Sequence, residues 1–261
     1  MNSKFARAET KLSRANQRGP HDVGEISRLL ARRYKNFDHY NRKNPLDELL
    51  FIICSTKTSE SGYRETFRAL RRRFPSNRML AAARIPEISA AIARGGLAKK
   101  KACAIKAIMQ KTTAQFGKPT LAPLRRTSDA ECERLLTSLP GVGKKVARCV
   151  MMYSLGRKVF PIDVHCWRVA RRLGWIRATR PNRLPSPADH DRLQSIIPPE
   201  LRHRLHVNFV SLGRELCTKT LPKCAICPLM EMCPKVGVVN RSQNVASRNA
   251  VLGDGGQGDL A

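Results

Sequence analysis

The chain has 261 residues, 42% of them hydrophobic, so it can bury a sizeable core and does not read as a disordered polymer. Lysine and arginine number 49 against 20 acidic residues, and the formal net charge of +29 calls for a polyanionic partner, with nucleic acid first among the candidates. No stretch approaches the roughly 20 apolar residues that span a bilayer, which argues against a membrane. The Arg-rich start MNSKFARAETKLSRANQRGP lacks the apolar centre of a secretory signal. It reads as a basic arm of an intracellular protein, cytoplasmic or nucleoid-associated, with an organellar transit peptide as the alternative.

The spacing of apolar residues is helical almost throughout, and strand-like alternation is essentially absent, so the expected class is all-α. Ile26, Leu29 and Leu30 mark a first helix. Leu46, Leu49, Leu50 and Ile53 mark a second, with Asn44 as cap and Pro45 in its first turn. Tyr63, Phe67, Leu70 and Phe74 form a third stripe that Pro75 ends. Ser128 and Glu131 read as a capping box ahead of Leu135, Leu136 and Leu139. Val164, Trp167, Ala170 and Leu173 make a stripe that stops at Gly174, and Leu201, Leu205, Leu212 and Leu216 lead into a cysteine-rich stretch. Cys54, Cys103, Cys132, Cys149 and Cys166 sit singly in apolar surroundings and read as core residues.

Three motifs carry chemistry. CTKTLPKCAICPLMEMC places Cys217, Cys224, Cys227 and Cys233 at C-x6-C-x2-C-x5-C, a four-thiolate set that suits a soft metal. Zinc sites usually pair two short knuckles. Here there is one, and Cys227-Pro228 and Cys233-Pro234 echo cluster-binding loops, which favours a [4Fe-4S] cluster with zinc as the alternative. The loop between the first two thiols carries Lys219 and Lys223, which can be held out towards phosphates. The second motif, LPGVGKK, has Gly141 and Gly143 around Val142, followed by Lys144 and Lys145 at a helix start. Positive φ at the two glycines would let backbone N–H groups and the helix N-terminus face one phosphate. Gly95-Gly96 is a looser echo that reads as a plain turn. In the third, PIDVHCW, Asp163 taken alone is a helix N-cap and His165 a packed or capping histidine.

LPGVGKKVA, then IDVH about twenty residues on, then the four cysteines in register, resemble the endonuclease III family of helix-hairpin-helix DNA glycosylases from about residue 25 to 235. The resemblance implies two helical lobes: a six-helix barrel with the helix-hairpin-helix over residues 45–156, and an iron-sulfur cluster lobe from residues 22–44 and 157–235. Residues 1–21 would be a disordered basic arm and 236–261 a disordered tail. It further implies a monomer that binds double-stranded DNA containing damaged bases or abasic sites. Lys145 is similar to the family's catalytic lysine and Asp163 to its catalytic aspartate, which implies a base-excision glycosylase with AP lyase activity, acting on oxidised pyrimidines through a lysine Schiff base. A lysine among cations and at a helix N-terminus is expected to favour its neutral amine. The family's wedge glutamine lies in a segment resembling LLFIICSTKTSE, and the matching place holds Thr56, flanked by Lys57. That departure, with Val146, Arg148 and Val164, puts base preference in doubt. The alternatives are a noncatalytic metal-stapled DNA-binding protein, a zinc-bearing regulator, and a monofunctional glycosylase of altered preference.

Overall fold

The computed structural model describes residues 23–35, 41–177 and 184–238, and among these the chain forms eleven α-helices and no strand. The arm expected over residues 1–21 and most of the tail lie outside them. The first tail residues are held: Val236 N–H donates to Arg172 O at 3.1 Å. The helices are α1 (Val23–Arg33), α2 (Pro45–Ser55), α3 (Glu60–Arg73), α4 (Asn77–Ala82), α5 (Ile85–Ala91), α6 (Ala98–Phe116), α7 (Asp129–Thr137), α8 (Lys144–Leu155), α9 (Val164–Arg172), α10 (Pro187–Ile196) and α11 (Arg202–Glu215).

Several starts follow from local chemistry. Asn44 Oδ1 accepts from Leu46 N at 2.9 Å, and Pro45 spends no N–H where none is needed. Ser128 accepts from Glu131 N at 3.2 Å, but the reciprocal half of the expected capping box is missing. The Glu131 carboxylate turns to the Arg134 guanidinium instead, where it finds a charged partner.

Apolar side chains gather in two clusters, one per helical lobe. The first runs from Leu46 to Val159 and is closed by α2 to α8; α2 packs on α3 and α8, and α6 on α5. The second joins Val23, Ile26 and Leu30 of α1 to residues from Phe160 to Leu229, with α11 packed on both α1 and α9. Phe160 and Phe209, both fully buried, meet edge to face at 6.4 Å in its centre. Two stripe residues depart from expectation. Val164 is half exposed, because the helix it opens turns Cys166, Trp167 and Val169 inward instead; Cys103 is exposed on α6.

Arg148 explains itself here. Its buried guanidinium donates to Glu133 Oε2 (2.7 Å), Asp191 Oδ1 (2.8 Å) and His190 O (2.8 Å), tying α7 and α8 to α10. Arg148 is therefore committed to packing between helices. Beside it, burial and then the charges of Arg148 and Lys144 push His190 down to about 4. A histidine whose folded pKa lies below its unfolded value adds stability above about pH 6.5 and loses it as pH falls towards 4. Denaturant unfolding at pH 7 and pH 4 should therefore show His190 contributing on the order of 3 kcal/mol of acid sensitivity, read as the difference between the unmodified protein and His190→Leu.

Candidate active site

The hairpin between α7 and α8 takes the conformation its glycines allow, though not at both positions. Gly141 adopts φ +75, which a Cβ would strain, whereas Gly143 is extended (φ −87, ψ 174) and serves as the N-cap of α8. Gly143 offers no side-chain cap, so the first N–H groups of α8 carry no side-chain acceptor and remain open to an anion. Val142 is buried in the first core, leaving its backbone as the part that can meet a ligand. Lys144 turns back to Asp191, with Nζ at 2.7 and 2.8 Å from its two oxygens, and pairs with Glu133 at 3.2 Å.

Lys145, one residue on, points the other way. It lines a cavity of about 180 Å³ between the two cores, shared with Glu48 and Tyr63 from the first lobe and Asp163, His206 and Arg214 from the second. That is room for considerably more than a single water molecule. Cys149 and Tyr153 continue the same face of α8 at intervals of four residues and form the cavity floor with Lys145. A larger basic concavity of about 670 Å³ adjoins it through Asn41 and is lined by Arg42, Arg64, Arg68, Arg71 and Arg72. It holds no nucleophile or carboxylate, so the chemistry belongs to the smaller one.

Asp163 does double duty. Oδ1 accepts from His165 N (2.9 Å) and Cys166 N (2.8 Å), capping α9. Burial pushes this carboxyl up, but His206, the Cys166 N–H, Lys145 and His165 outweigh it, so its pKa lies below the ordinary range and it is a carboxylate at neutral pH. Gly213 makes room for this corner: a Cβ there would stand 2.7 Å from His165 Cβ, so α11 approaches α9 closely and brings His206 within reach. His206 Nδ1 lies 2.9 Å from Pro161 O, which fixes that nitrogen as the donor.

Lys145 departs from the sequence expectation. Its pKa is raised, first by Cys149 and then, with burial opposing, by Asp163. Lys144, its neighbour in sequence, is engaged in ion pairs of its own with Asp191 and Glu133. At rest Lys145 is an ammonium.

The segment expected to hold the wedge sits at the end of α2. Thr56 is the C-cap, exposed, and Lys57 beside it is exposed with φ +50, a left-handed backbone unusual for a lysine. Lys101 holds this conformation from below. Its buried Nζ donates to Cys54 O (2.8 Å), Thr58 Oγ1 (2.9 Å) and Gly95 O (2.7 Å), which also gives the Gly95-Gly96 turn its use.

The four cysteines follow α11. Cys217, Cys227 and Cys233 pack against the second core, and Cys233 lies within electrostatic reach of the other three. Arg172, at the end of α9, donates to Cys217 Sγ at 3.0 Å and to Thr218 O at 2.8 Å, an arrangement that suits thiolate charge. Among the described residues no three His, Cys, Asp or Glu side chains close tightly enough to hold one ion. A multi-iron cluster spreads its thiolates more widely than a single ion does, and the donor set fits such a group. Lys219 and Lys223 are exposed on the intervening loop.

The family described as HhH-GPD superfamily base excision DNA repair protein matches residues 51–187. An Arabidopsis thaliana protein that carries the name DNA glycosylase is 34% identical over 200 residues, covering 74% of this chain; the chain spans 65% of that protein's length. Endonuclease III of Thermotoga maritima is 24% identical over 211 residues, covering 81% of this chain and 92% of that one. The solved structure of a trapped endonuclease III–DNA covalent intermediate superposes with a TM-score of 0.70 at 22% identity, over 83% of this chain and 96% of that one.

Proposed function

The chain belongs to the HhH-GPD superfamily of base excision DNA repair proteins, on its endonuclease III-like side, and from that premise we propose that it is a DNA glycosylase with AP lyase activity on damaged pyrimidines. The observation that carries this reading is one small cavity faced by an amine and a carboxylate, Lys145 and Asp163, beside the open N-terminus of α8.

Duplex DNA lies across the two lobes, with a phosphate at the N–H groups of Gly143 and α8 and further backbone contacts from Lys219 and Lys223. The damaged nucleotide leaves the stack at a cost of a few kcal/mol, and the Thr56–Lys57 segment fills its place. Lys145 must lose a proton before it attacks; Asp163, a carboxylate facing the same cavity, is the acceptor. Asp163 passes that proton on to water; the amine then bonds to sugar C1′ as the C1′–N bond breaks, the bonding pair departs with the base, and Asp163, again a carboxylate, stabilises the positive charge that develops on the sugar. The C1′–O4′ bond then opens, O4′ taking a proton from the lysine nitrogen, and leaves a Schiff base; loss of its C2′ proton to water expels the 3′ phosphate. Cys217, Cys224, Cys227 and Cys233 would hold a [4Fe-4S] cluster, which would supply a rigid cross-link for the loop that presents Lys219 and Lys223.

Borohydride trapping on a duplex with one abasic site tests this reading: a covalent protein–DNA band is expected, from protein with broad visible absorbance. No band from protein that binds the duplex would establish a noncatalytic or monofunctional protein. Colourless, zinc-loaded protein would overturn the cluster.

A further inference from the structure

Glu48 is a carboxylic acid with no salt bridge among the described residues, buried where the proposed chemistry takes place. Its side chain leaves the first turns of α2, is 1% exposed, and lines the cavity with Lys145 and Asp163. Oε2 accepts from Arg42 N at 2.6 Å. Oε1 is buried and, among the described residues, has no hydrogen-bond partner. Buried carboxyls are normally paired with a cation, and two cations stand nearby. Arg42 instead lays its guanidinium over the rings of Phe51 and Phe67, at 5.0 and 4.9 Å, and Lys145 is drawn to Cys149. Burial, outweighing Arg42 and Lys145, pushes the carboxyl up to about 7, so a large share keeps its proton at neutral pH. Since Oε2 is an acceptor, that proton sits on Oε1, the atom left without a partner.

We infer that Glu48 is a further catalytic residue, the acid that protonates the departing base. This rests on the proposed glycosylase reading. As Lys145 bonds to C1′ and the C1′–N bond breaks, the bonding pair leaves on the base, and the Oε1 proton passes to a ring nitrogen or carbonyl oxygen of that base. Glu48 remains as carboxylate and takes its next proton from water. The two carboxyl groups are thereby divided by environment, Asp163 ionised among hydrogen bonds and positive groups, Glu48 neutral in an apolar wall.

The role predicts a split between two steps, because no base departs from an abasic site. Glu48→Gln keeps the shape and an acceptor for Arg42 N–H but cannot transfer a proton. In single-turnover assays on duplexes carrying thymine glycol, 5,6-dihydrouracil or uracil, this variant is expected to release base about 10²-fold more slowly. Strand cleavage at a preformed abasic site should stay within about twofold of the unmodified protein, which also shows that the variant folds. Undiminished release, or an equal fall in both assays, overturns the assignment. Unmodified protein that cleaves the abasic duplex yet releases none of the three bases also overturns it, leaving Glu48 nothing to protonate. Unmodified protein inert on every duplex overturns the proposed function itself.

Discussion

Lys145→Ala is expected to abolish the borohydride-trapped adduct and to lower strand cleavage at abasic sites by at least about 10³-fold, the scale of removing a covalent nucleophile. Among the described residues it is the one lysine lining the cavity. Lys101, which is buried, has its three hydrogens committed to Cys54, Thr58 and Gly95, and Lys144 is paired outside the cavity. No neighbour is therefore placed to substitute. The change should be mild for the fold: alanine suits the second position of a helix, and the lost contact is with Cys149, itself kept a thiol by burial. Thermal melting within a few degrees of the unmodified protein, together with retained duplex binding, would separate lost chemistry from lost structure. An adduct that survives the substitution would move the nucleophile elsewhere.

Asp163→Asn separates the two duties of that side chain. Asparagine caps helices about as well as aspartate, so the bonds from His165 N and Cys166 N persist and stability should change by about 1 kcal/mol or less. The charge, however, is gone. Base release, which builds positive charge on the sugar, is expected to fall about 10²- to 10³-fold. Trapping at a preformed abasic site should fall less, because losing the Asp163 charge lowers the Lys145 pKa and so offsets part of the loss of its proton acceptor. Parallel release and trapping assays check this; equal losses in both would assign Asp163 to deprotonating Lys145 rather than to stabilising the sugar.

The sequence shows best what a few neighbouring residues decide. Asn44-Pro45, Ser128 and Asp163 start helices because capping is local, and Gly141 takes positive φ because the tight turn demands it. Lys145, Asp163 and the cysteines are candidates through resemblance, since their order survives in the chain, and the fold brings the first two to one cavity. Glu48 was not: within PLDELL it is an ordinary acid in a first turn, and its burial depends on α8, about a hundred residues away. Cys149 read as core because apolar spacing cannot tell a cavity floor from a packed interior; burial keeps it a thiol, so at neutral pH the charge that favours the Lys145 ammonium is that of Asp163. Lys101 sits in a run of lysines that looks solvated, yet the fold folds one of them under. Long-range juxtaposition leaves no trace in spacing.

The grip of Lys101 on the segment carrying Lys57 bears on how such a protein would search DNA. Holding a backbone in one conformation costs roughly 1 to 2 kcal/mol of entropy per residue. Here that loss is taken once, at folding, and is not repeated at each encounter with a duplex. A segment that is already shaped need not close at every step, so interrogation would be limited by how readily a base pair opens, and weak stacking at a lesion would set where the enzyme stops.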